Sequence, residues 1–167
     1  MKRWLYPQQY VTSIYDVDYE QLKQQGIKGL IFDIDNTLVP YHVKEPTQEI
    51  VDLIINLKDK GFRITLVSNN TRIRVLRFNQ QLKLNAIYNA YKPRRLNLHQ
   101  AIERMKLKAS QVAIIGDQIF TDILGGNRAG IHTILVQPVS EKDEPITKIK
   151  RGVEKKIIEQ YVKSISQ

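Results

Sequence analysis

The sequence predicts an α/β protein: a mostly parallel β-sheet covered by helices on both faces, which makes three layers. Short apolar runs alternate along the chain with segments in which apolar residues recur at helical spacing. This alternation is typical of βα units around a parallel sheet. The chain has 167 residues and no internal repeat. We therefore expect one domain over residues 1–167.

Five strands and four helices follow in order from this pattern. The predicted strands are residues 29–34, 63–68, 112–116 and 133–136, with a weaker strand at 86–88. The predicted helices are residues 47–60, 72–83, 94–105 and 120–129. Thr71 stands where the second of these helices needs an N-cap, and Gly61 follows the first helix as a stop signal.

The two ends of the chain lie outside this pattern. Residues 1–26 are expected to form an N-terminal extension. Residues 150–165 predict an amphipathic C-terminal helix, because apolar side chains recur at helical spacing among lysines. The apolar positions are Val153, Ile157, Ile158, Tyr161, Val162 and Ile165. This helix either docks on the core of the domain or contacts a membrane surface or a partner protein.

The composition limits the kinds of site and the compartment. The chain contains no cysteine, which excludes disulfides and thiolate-bound metals, so any metal must be held by oxygen or imidazole ligands. The N-terminus has no apolar stretch long enough for a signal sequence, and no later segment approaches a membrane span. These features predict a cytoplasmic protein that contacts the inner face of the membrane at most peripherally.

The positive charge of the chain is concentrated in one stretch. The net charge is +9, and residues 60–108 contain twelve Lys and Arg against a single acid, Glu103. This basic block could attract phosphate, nucleic acid or anionic lipid, or it could be the solvated surface of helices. Its four aromatic residues are scattered among the basic positions. That scatter argues against a platform for stacked bases and hence against a nucleic-acid partner.

Two carboxylates follow the first apolar strand. Asp33 and Asp35 lie in the segment IFDIDNTLV at residues 31–39, and the two-residue period of a strand directs both side chains to the same side. Ligands of open α/β sheets bind beyond the carboxyl ends of the strands. The pair is therefore a candidate site, although alone it would also fit a loop cap.

Three further polar signals follow in chain order. Ser68 and Asn69 close the second strand next to a helix N-terminus, which is an anion-binding position. Lys92 precedes the next helix, where an ammonium could neutralise a phosphoryl oxygen. Asp117 and Asp122 follow another strand, in IIGDQIFTD at residues 114–122. Each signal alone has a structural explanation, but together they indicate a site for phosphate and magnesium.

These four signals resemble the motifs of the haloacid dehalogenase (HAD) superfamily. The matching residues are DIDNT at 33–37, Ser68, Lys92, and Gly116-Asp117 with Asp122. Closer similarity, including VSNN at 67–70, TDILGGNR at 121–128 and YVTSI at 10–14, is to the YqeG-type branch of HAD subfamily IIIA. That branch is similar to the mitochondrial phosphatidylglycerophosphate phosphatases. The resemblance implies a HAD-like, Rossmannoid fold, and the short spacing of the motifs leaves no room for a large cap domain.

The resemblance implies a magnesium-dependent phosphatase and gives each residue a role. Asp33 would be the nucleophile that forms an aspartyl-phosphate, and Asp35 the general acid and base. Ser68, Asn69 and Lys92 would bind the transferred phosphoryl group, with Ser68 and Lys92 counted among the catalytic residues.

The implied cofactor is Mg²⁺, and its ligands are also assigned by the resemblance. The carboxylates of Asp33 and Asp117 and the backbone carbonyl of Asp35 would coordinate the ion. Asp122 would lie behind them and orient Lys92 or a water molecule on the metal.

Two alternatives to hydrolysis remain at this stage. The chain could be a basic nucleic-acid- or ribosome-associated binding protein with a vestigial HAD site, or it could transfer phosphate to an acceptor other than water. For the hydrolase, the open site, the basic block and the C-terminal helix favour a bulky or membrane-presented substrate. Phosphatidylglycerophosphate is the leading candidate by resemblance, with peripheral membrane contact expected.

Overall fold

The computed structural model describes residues 2–140 and 145–166. The strands are β1 (Gln9–Val11), β2 (Gly29–Phe32), β3 (Arg63–Val67), β4 (Asn85–Ile87), β5 (Val112–Gly116) and β6 (His132–Val136). The helices are α1 (Tyr19–Gln24), α2 (Gln48–Asp59), α3 (Arg72–Leu82), α4 (Leu96–Arg104), α5 (Leu124–Ala129) and α6 (Pro145–Ile165). All strand pairs are parallel, in the order β1-β6-β5-β2-β3-β4. The predicted α/β class is confirmed.

Side chains of the central strands alternate between two apolar cores. Leu30 and Phe32 of β2 belong to the core beneath α1, α2 and α3, while Ile31 points into the core beneath α4 and α5. The strand has no exposed face, which explains its unbroken apolar sequence. Between β2 and β3, and between β3 and β4, the chain forms one helix each. No cap domain interrupts the described sheet.

The predicted helix ends agree with the observed caps. The Thr71 side chain accepts a hydrogen bond from the Arg74 N–H at 3.4 Å and begins α3. Gly61 follows the end of α2 with a φ of +94°, a left-handed conformation that costs little only for glycine. Local signals of this kind can be recognised in sequence because the interacting atoms are three or four residues apart.

Two helices differ from their predicted extents. Helix α4 begins at Leu96 rather than residue 94, because the Arg94 N–H closes a turn onto the Tyr91 carbonyl at 2.9 Å. The predicted helix 120–129 is divided into a π-helical turn, Ile119–Ile123, followed by α5. In that turn the backbone N–H groups of Asp122 and Ile123 both donate to the Gln118 carbonyl, at 3.0 and 3.2 Å. Such turns are frequent at functional sites.

The N-terminal segment, predicted only as an extension, supplies the sixth strand. Strand β1 pairs with β6 at the edge of the sheet. The side chain of Gln8 accepts a hydrogen bond from the Thr133 N–H at 2.7 Å and so secures the start of the strand. Three partly buried residues give too short a pattern for periodicity to detect.

The C-terminal helix docks on the domain, as one of the two sequence interpretations expected. Ile157 and Ile158 pack on a small apolar cluster that includes Leu135 of β6. Tyr161 is buried, and its ring meets the Tyr6 ring edge-on with the centroids 5.6 Å apart. Among the described helices, α6 included, none combines the length and the apolar character that crossing a bilayer requires.

Candidate active site

The candidate site lies at the point where the strand order reverses. Strand β2 has β3 on one side and β5 on the other, so the connections after β2 and β5 diverge and leave a crevice at the carboxyl edge of the sheet. A cavity of about 270 Å³ opens there. Its lining residues are Asp33, Asp35, Asn36, Tyr41, Ser68, Asn69, Asn70, Lys92, Gln118 and Thr121. The cavity contains every residue that the sequence analysis assigned to catalysis or phosphate binding.

Lys92 is the buried cation of the site. Its Nζ donates to Asp33 Oδ1 at 2.8 Å, to Asp122 Oδ1 at 2.6 Å and to the Val67 carbonyl at 2.7 Å. Burial by itself lowers the pKa of Lys92, but the Asp122 and Asp33 carboxylates outweigh it and raise the pKa above its ordinary value. The ammonium is therefore charged at neutral pH and all three of its donors are held in place.

Asp122 orients Lys92 from the side away from the cavity. One of its carboxylate oxygens accepts from Lys92, and the other accepts from the Gln118 N–H at 3.2 Å. This position requires glycine at residue 116, because a Cβ there would lie 2.3 Å from the carboxylate carbon of Asp122. Burial, opposed by Lys92, raises the pKa of Asp122 to about 6. The predicted contact between Asp122 and Lys92 is thus present.

Three buried carboxylates form a set of ligands suited to a hard cation. Oxygen atoms of Asp33, Asp117 and Asp122 all lie within 4.8 Å of one another. The Thr37 hydroxyl lies 3.3 Å from Asp33 Oδ2 and 3.0 Å from Asp117 Oδ1, so it links two of them. Burial and the nearby Asp33 carboxylate raise the pKa of Asp117 well above its ordinary value, against the influence of Arg151. Oxygen donors gathered this closely fit Mg²⁺ and would be relieved of mutual repulsion by it.

Asp35 lies at the wetter side of the cavity, away from the three clustered carboxylates. Arg74 donates to Asp35 Oδ1 from Nε at 3.1 Å and from Nη2 at 3.0 Å, and Asn70 Nδ2 donates to Oδ2 at 3.0 Å. Burial and the Asp33 carboxylate raise the pKa of Asp35, and the bonds from Asn70 and Arg74 limit the rise. Arg74 belongs to the basic block, and its contact with Asp35 was not predicted from the sequence.

The loop after β3 and the turn before α4 are joined by Asn69. Its amide donates to the Lys92 carbonyl at 3.0 Å and accepts from the Lys92 N–H at 2.7 Å. Ser68 is buried, and its Oγ accepts from the Asn70 N–H at 3.0 Å. Asn69 lines the cavity as predicted, yet its side-chain amide is bonded to the backbone of Lys92. In this structure Asn69 therefore positions the backbone of Lys92.

Helix α6 contributes a residue that the sequence analysis did not place in the site. Arg151 forms an ion pair with the Asp117 carboxylate, and its Nη1 donates to the Asp117 carbonyl at 2.6 Å. Glu154, buried one turn further along the helix, lies 3.3 Å from Arg151 and accepts from the Phe120 N–H at 3.2 Å. The only signal in the sequence was an Arg and a Glu at a spacing of three, which on a helix indicates a local pair.

Comparison with known proteins gives sequence relatives over nearly the whole chain. Residues 30–92 match a family model described as haloacid dehalogenase-like hydrolase, and residues 90–159 match one described as HAD-hydrolase-like. The probable phosphatase YqeG of Bacillus subtilis is 40% identical over 158 residues, which cover 95% of this chain and 92% of that protein. Phosphatidylglycerophosphate phosphatase 1 of Arabidopsis thaliana is 26% identical over 86% of this chain and 44% of its own length.

Solved structures agree on the fold. The cobalt-bound form of the deoxy-D-mannose-octulosonate 8-phosphate phosphatase from Haemophilus influenzae superposes with a TM-score of 0.56. The superposition covers 85% of this chain and 93% of that one, at 17% identity. At that identity the likeness shows the fold alone, whereas the near full-length match to YqeG shows the family. The chain therefore belongs to the haloacid dehalogenase-like hydrolases, in the family of the YqeG phosphatases.

Proposed function

We propose that this phosphatase hydrolyses phosphomonoesters through an aspartyl-phosphate on Asp33, with Mg²⁺ as cofactor, and that its substrate is a phospholipid phosphomonoester such as phosphatidylglycerophosphate. One observation carries the catalytic part. Asp33 and Asp35 line a single cavity with Lys92, whose ammonium is bonded to Asp33 at 2.8 Å. A nucleophile, an acid–base group and a buried positive charge are the parts that phosphoryl transfer needs from a protein.

The first half of the reaction uses two acidic residues, Asp33 as an ionised carboxylate and Asp35 as a protonated carboxylic acid. A carboxylate oxygen of Asp33 attacks phosphorus, and the bond between phosphorus and the ester oxygen breaks as the new bond forms. Asp35 supplies a proton to the departing alkoxide. The raised pKa of Asp35 favours its protonated form at this point. Lys92 faces the developing negative charge as a fixed cation.

The second half regenerates the enzyme. Asp35, now a carboxylate, takes a proton from a water molecule, whose oxygen attacks phosphorus and releases inorganic phosphate and the free Asp33 carboxylate. Arg74 and Asn70 hold the Asp35 side chain in one orientation for both steps. The hydrogen bonds from Arg74 and Asn70 also stabilise the carboxylate form of Asp35, which the second half needs.

Magnesium, when bound, neutralises the carboxylates that would otherwise repel a phosphate dianion and stabilises charge on the phosphoryl oxygens. The proposed ligands are the carboxylates of Asp33 and Asp117 and the backbone carbonyl of Asp35. The placement of Asp33 and Asp117 supports this set, since both belong to the buried cluster and are linked through Thr37. Asp122 is proposed not to coordinate the ion directly but to orient Lys92, which donates a hydrogen bond to it.

A lipid substrate is supported by the openness of the site and by the named relatives. No inserted domain covers the cavity in the part of the chain that the structure describes. The matching proteins of Arabidopsis thaliana and Chlamydomonas reinhardtii are named phosphatidylglycerophosphate phosphatases, and they are 26% and 30% identical. Related folds host different substrates, so the substrate requires a direct test.

The deciding experiment is a substrate screen with purified protein and Mg²⁺. It includes phosphatidylglycerophosphate in mixed micelles, a short-chain soluble version, nucleotides and sugar phosphates, with release of inorganic phosphate as the readout. We expect the lipid to have the highest kcat/KM. A higher kcat/KM for a nucleotide or sugar phosphate would reject the lipid assignment. Transfer of the phosphoryl group to an alcohol acceptor, seen as a new phosphate ester in place of inorganic phosphate, would reject hydrolysis.

Replacing Asp35 by asparagine is expected to impair hydrolysis by an amount that depends on the leaving group. Alkyl phosphates, which need a proton on the departing oxygen, should lose roughly 10²–10⁴-fold in turnover. Aryl phosphates with acidic phenols should lose less in the first half-reaction, because their leaving groups depart as anions. The kcat/KM values for a series of aryl phosphates check this, because kcat/KM reports only the steps up to departure of the phenol. Equal losses across the series would count against the acid role of Asp35.

Removing magnesium with a chelator is expected to abolish turnover, and adding Mg²⁺ should restore it. Asp117→Asn keeps the shape of the side chain but removes a charged ligand, so it should raise the Mg²⁺ concentration for half-maximal activity by at least about tenfold. Asp59→Asn, an exposed change on α2, is the matched control. Unchanged magnesium dependence in Asp117→Asn would contradict the proposed coordination.

A further inference from the structure

The basic block is not one uniform surface. In the described structure four of its members form ion pairs with acidic residues that lie outside residues 60–108 in the sequence; they are Lys60, Arg74, Arg77 and Lys92. Arg94 and Arg95, next to the catalytic lysine, form no ion pair with any residue that the structure describes. Arg128 of α5 is likewise not ion-paired within the described residues. These three arginines are available to an external anion.

The three arginines share one surface with large apolar side chains. The Arg94 guanidinium lies 6.0 Å from the centre of the Tyr91 ring. Two adjoining hollows both have Arg95 and Arg128 in their walls. The first is also lined by Arg94, Leu96 and His99, and the second by Trp4, Leu5 and Leu124. We call Trp4, Tyr91, Arg94, Arg95, Leu96 and Arg128 the α4–α5 surface.

Packing beneath the surface holds its parts together. A Cβ placed on Gly125 would lie 3.2 Å from the Pro93 Cα, so α5 approaches the turn before α4 closely. Asn127 Nδ2 donates to the Trp4 carbonyl at 2.8 Å and to the Tyr6 carbonyl at 2.9 Å. The N-terminal segment is thereby fixed against α5. Trp4 is far from the arginines in the sequence but lies beside Arg95 and Arg128 in the folded protein.

The apolar members of this surface are unusually exposed. Leu96 is 77% exposed, Tyr91 64% and Trp4 55%. Clustered exposed apolar residues indicate an interaction site. Tryptophan and tyrosine prefer the boundary between the headgroups and acyl chains of a bilayer, and arginine there binds anionic lipid. A soluble polyanion would neutralise the arginines but leave the three apolar side chains in water. An anionic bilayer would neutralise the arginines and also remove the apolar side chains from water.

The surface begins at the active site. Tyr91 is the residue before Lys92, and both belong to a turn that the Arg94 N–H closes by donating to the Tyr91 carbonyl at 2.9 Å. Helix α4 starts at the carboxyl edge of the sheet, where the cavity opens. A membrane bound by this surface would therefore lie beside the cavity mouth.

We propose that the α4–α5 surface binds an anionic lipid bilayer and holds the active site next to phosphorylated headgroups. The position of the headgroups rests on the proposed lipid substrate, but the binding itself does not. The proposal puts the membrane contact on this surface rather than on the C-terminal helix, where Ile157, Ile158 and Tyr161 pack on the domain and, of the apolar side chains described there, only Val153, Val162 and Ile165 stay exposed.

The experiment uses the single tryptophan of the chain as its probe. Full-length protein carrying Asp33→Asn, which removes catalysis, is mixed at low salt with vesicles of phosphatidylglycerol and phosphatidylcholine or of phosphatidylcholine alone. We expect the Trp4 emission to shift to the blue and to be quenched by brominated acyl chains with the anionic vesicles only. The shift should disappear as salt is raised. No shift and no sedimentation with anionic vesicles at low salt would overturn the proposal.

Variants separate this surface from charge in general. Arg95→Gln combined with Arg128→Gln should weaken vesicle binding by about 25-fold, roughly fivefold for each arginine. Lys58→Gln combined with Arg104→Gln removes the same charge from exposed positions at the carboxyl ends of α2 and α4, and it should bind nearly as the parent does. If both pairs of substitutions weakened binding equally, the effect would come from net charge alone, and the assignment of this surface would be overturned.

The two proposals fail in different ways. In the catalytically active background, Arg95→Gln/Arg128→Gln should hydrolyse a small soluble ester at the parental rate and lose activity only on vesicle-borne substrate. Vesicle binding without hydrolysis of any phospholipid phosphomonoester would reject the lipid substrate and leave the surface intact. Hydrolysis of vesicle-borne substrate at equal rates by parent and variant would reject the surface and leave the substrate intact.

Discussion

Replacing Asp33 by asparagine is expected to abolish turnover while the fold is kept. A neutral amide cannot attack phosphorus, and loss of a covalent nucleophile costs roughly 10⁴-fold or more in kcat. The amide has nearly the same shape as the carboxylate and can still accept the hydrogen bond from Lys92, which is 2.8 Å from Asp33 Oδ1. One charge also leaves a cluster of three buried carboxylates, so thermal stability should be unchanged or higher.

Turnover of a soluble ester and a thermal unfolding curve measure the two effects together. Rapid quenching of the parent protein with substrate should trap one phosphoryl group per chain, detected as a mass increase, and Asp33→Asn should trap none. Asp59→Asn, which removes a carboxylate from the surface, should behave as the parent in every assay. Activity above a few per cent in Asp33→Asn would disprove the assignment of the nucleophile.

Replacing Lys92 by methionine is expected to damage both activity and stability. The change leaves two buried carboxylates, Asp33 and Asp122, without the cation that is hydrogen-bonded to both. Breaking a buried ion pair from one side typically costs about 3–5 kcal/mol, which is a large part of the stability of a small domain. Loss of the fixed charge opposite the phosphoryl group should lower kcat by roughly 10²–10³-fold.

Urea unfolding in the presence of a chelator measures the stability loss, since a bound cation would partly replace the ammonium. Adding Asp122→Asn to the Lys92→Met protein should recover part of the stability, because one unpaired buried charge is removed, and should recover no activity. Lys156→Met, at an exposed position on α6, controls for the apolar side chain. A loss of less than about 1 kcal/mol in Lys92→Met would show that the lysine is not the structural centre of the site.

Most of the residues that line the candidate site could be predicted because strand ends are visible in sequence. An apolar run followed by a polar residue marks the point where a parallel strand leaves the core, and all such points lie along one edge of the sheet. Asp33, Ser68 and Asp117 were found in this way, and they do meet there although up to 84 positions separate them in the chain. Lys92 was found through its place before a helix and its resemblance to the third HAD motif.

The partners of those residues could not be predicted in the same way. Arg74 reaches Asp35 and Arg151 reaches Asp117 across sequence separations of 39 and 34 residues. Each contact depends on how far one helix is shifted along the sheet. Helical periodicity shows which face of α3 or α6 is apolar but not which carboxylate a polar residue on that face will meet. Asn69 is similar, since only the folded turn brings its amide to the Lys92 backbone.

By itself, then, the sequence determined the order of βα units, the buried faces of the strands and the residues that follow the strand ends, because these depend on patterns a few residues long. The tertiary structure alone decided the edge strand β1, the π-helical turn that directs Asp122 toward Lys92, and the meeting of Trp4 with Arg95 and Arg128. Those features join segments that are distant in the chain or too short for periodicity. Their energies come from packing that exists only once the sheet has formed.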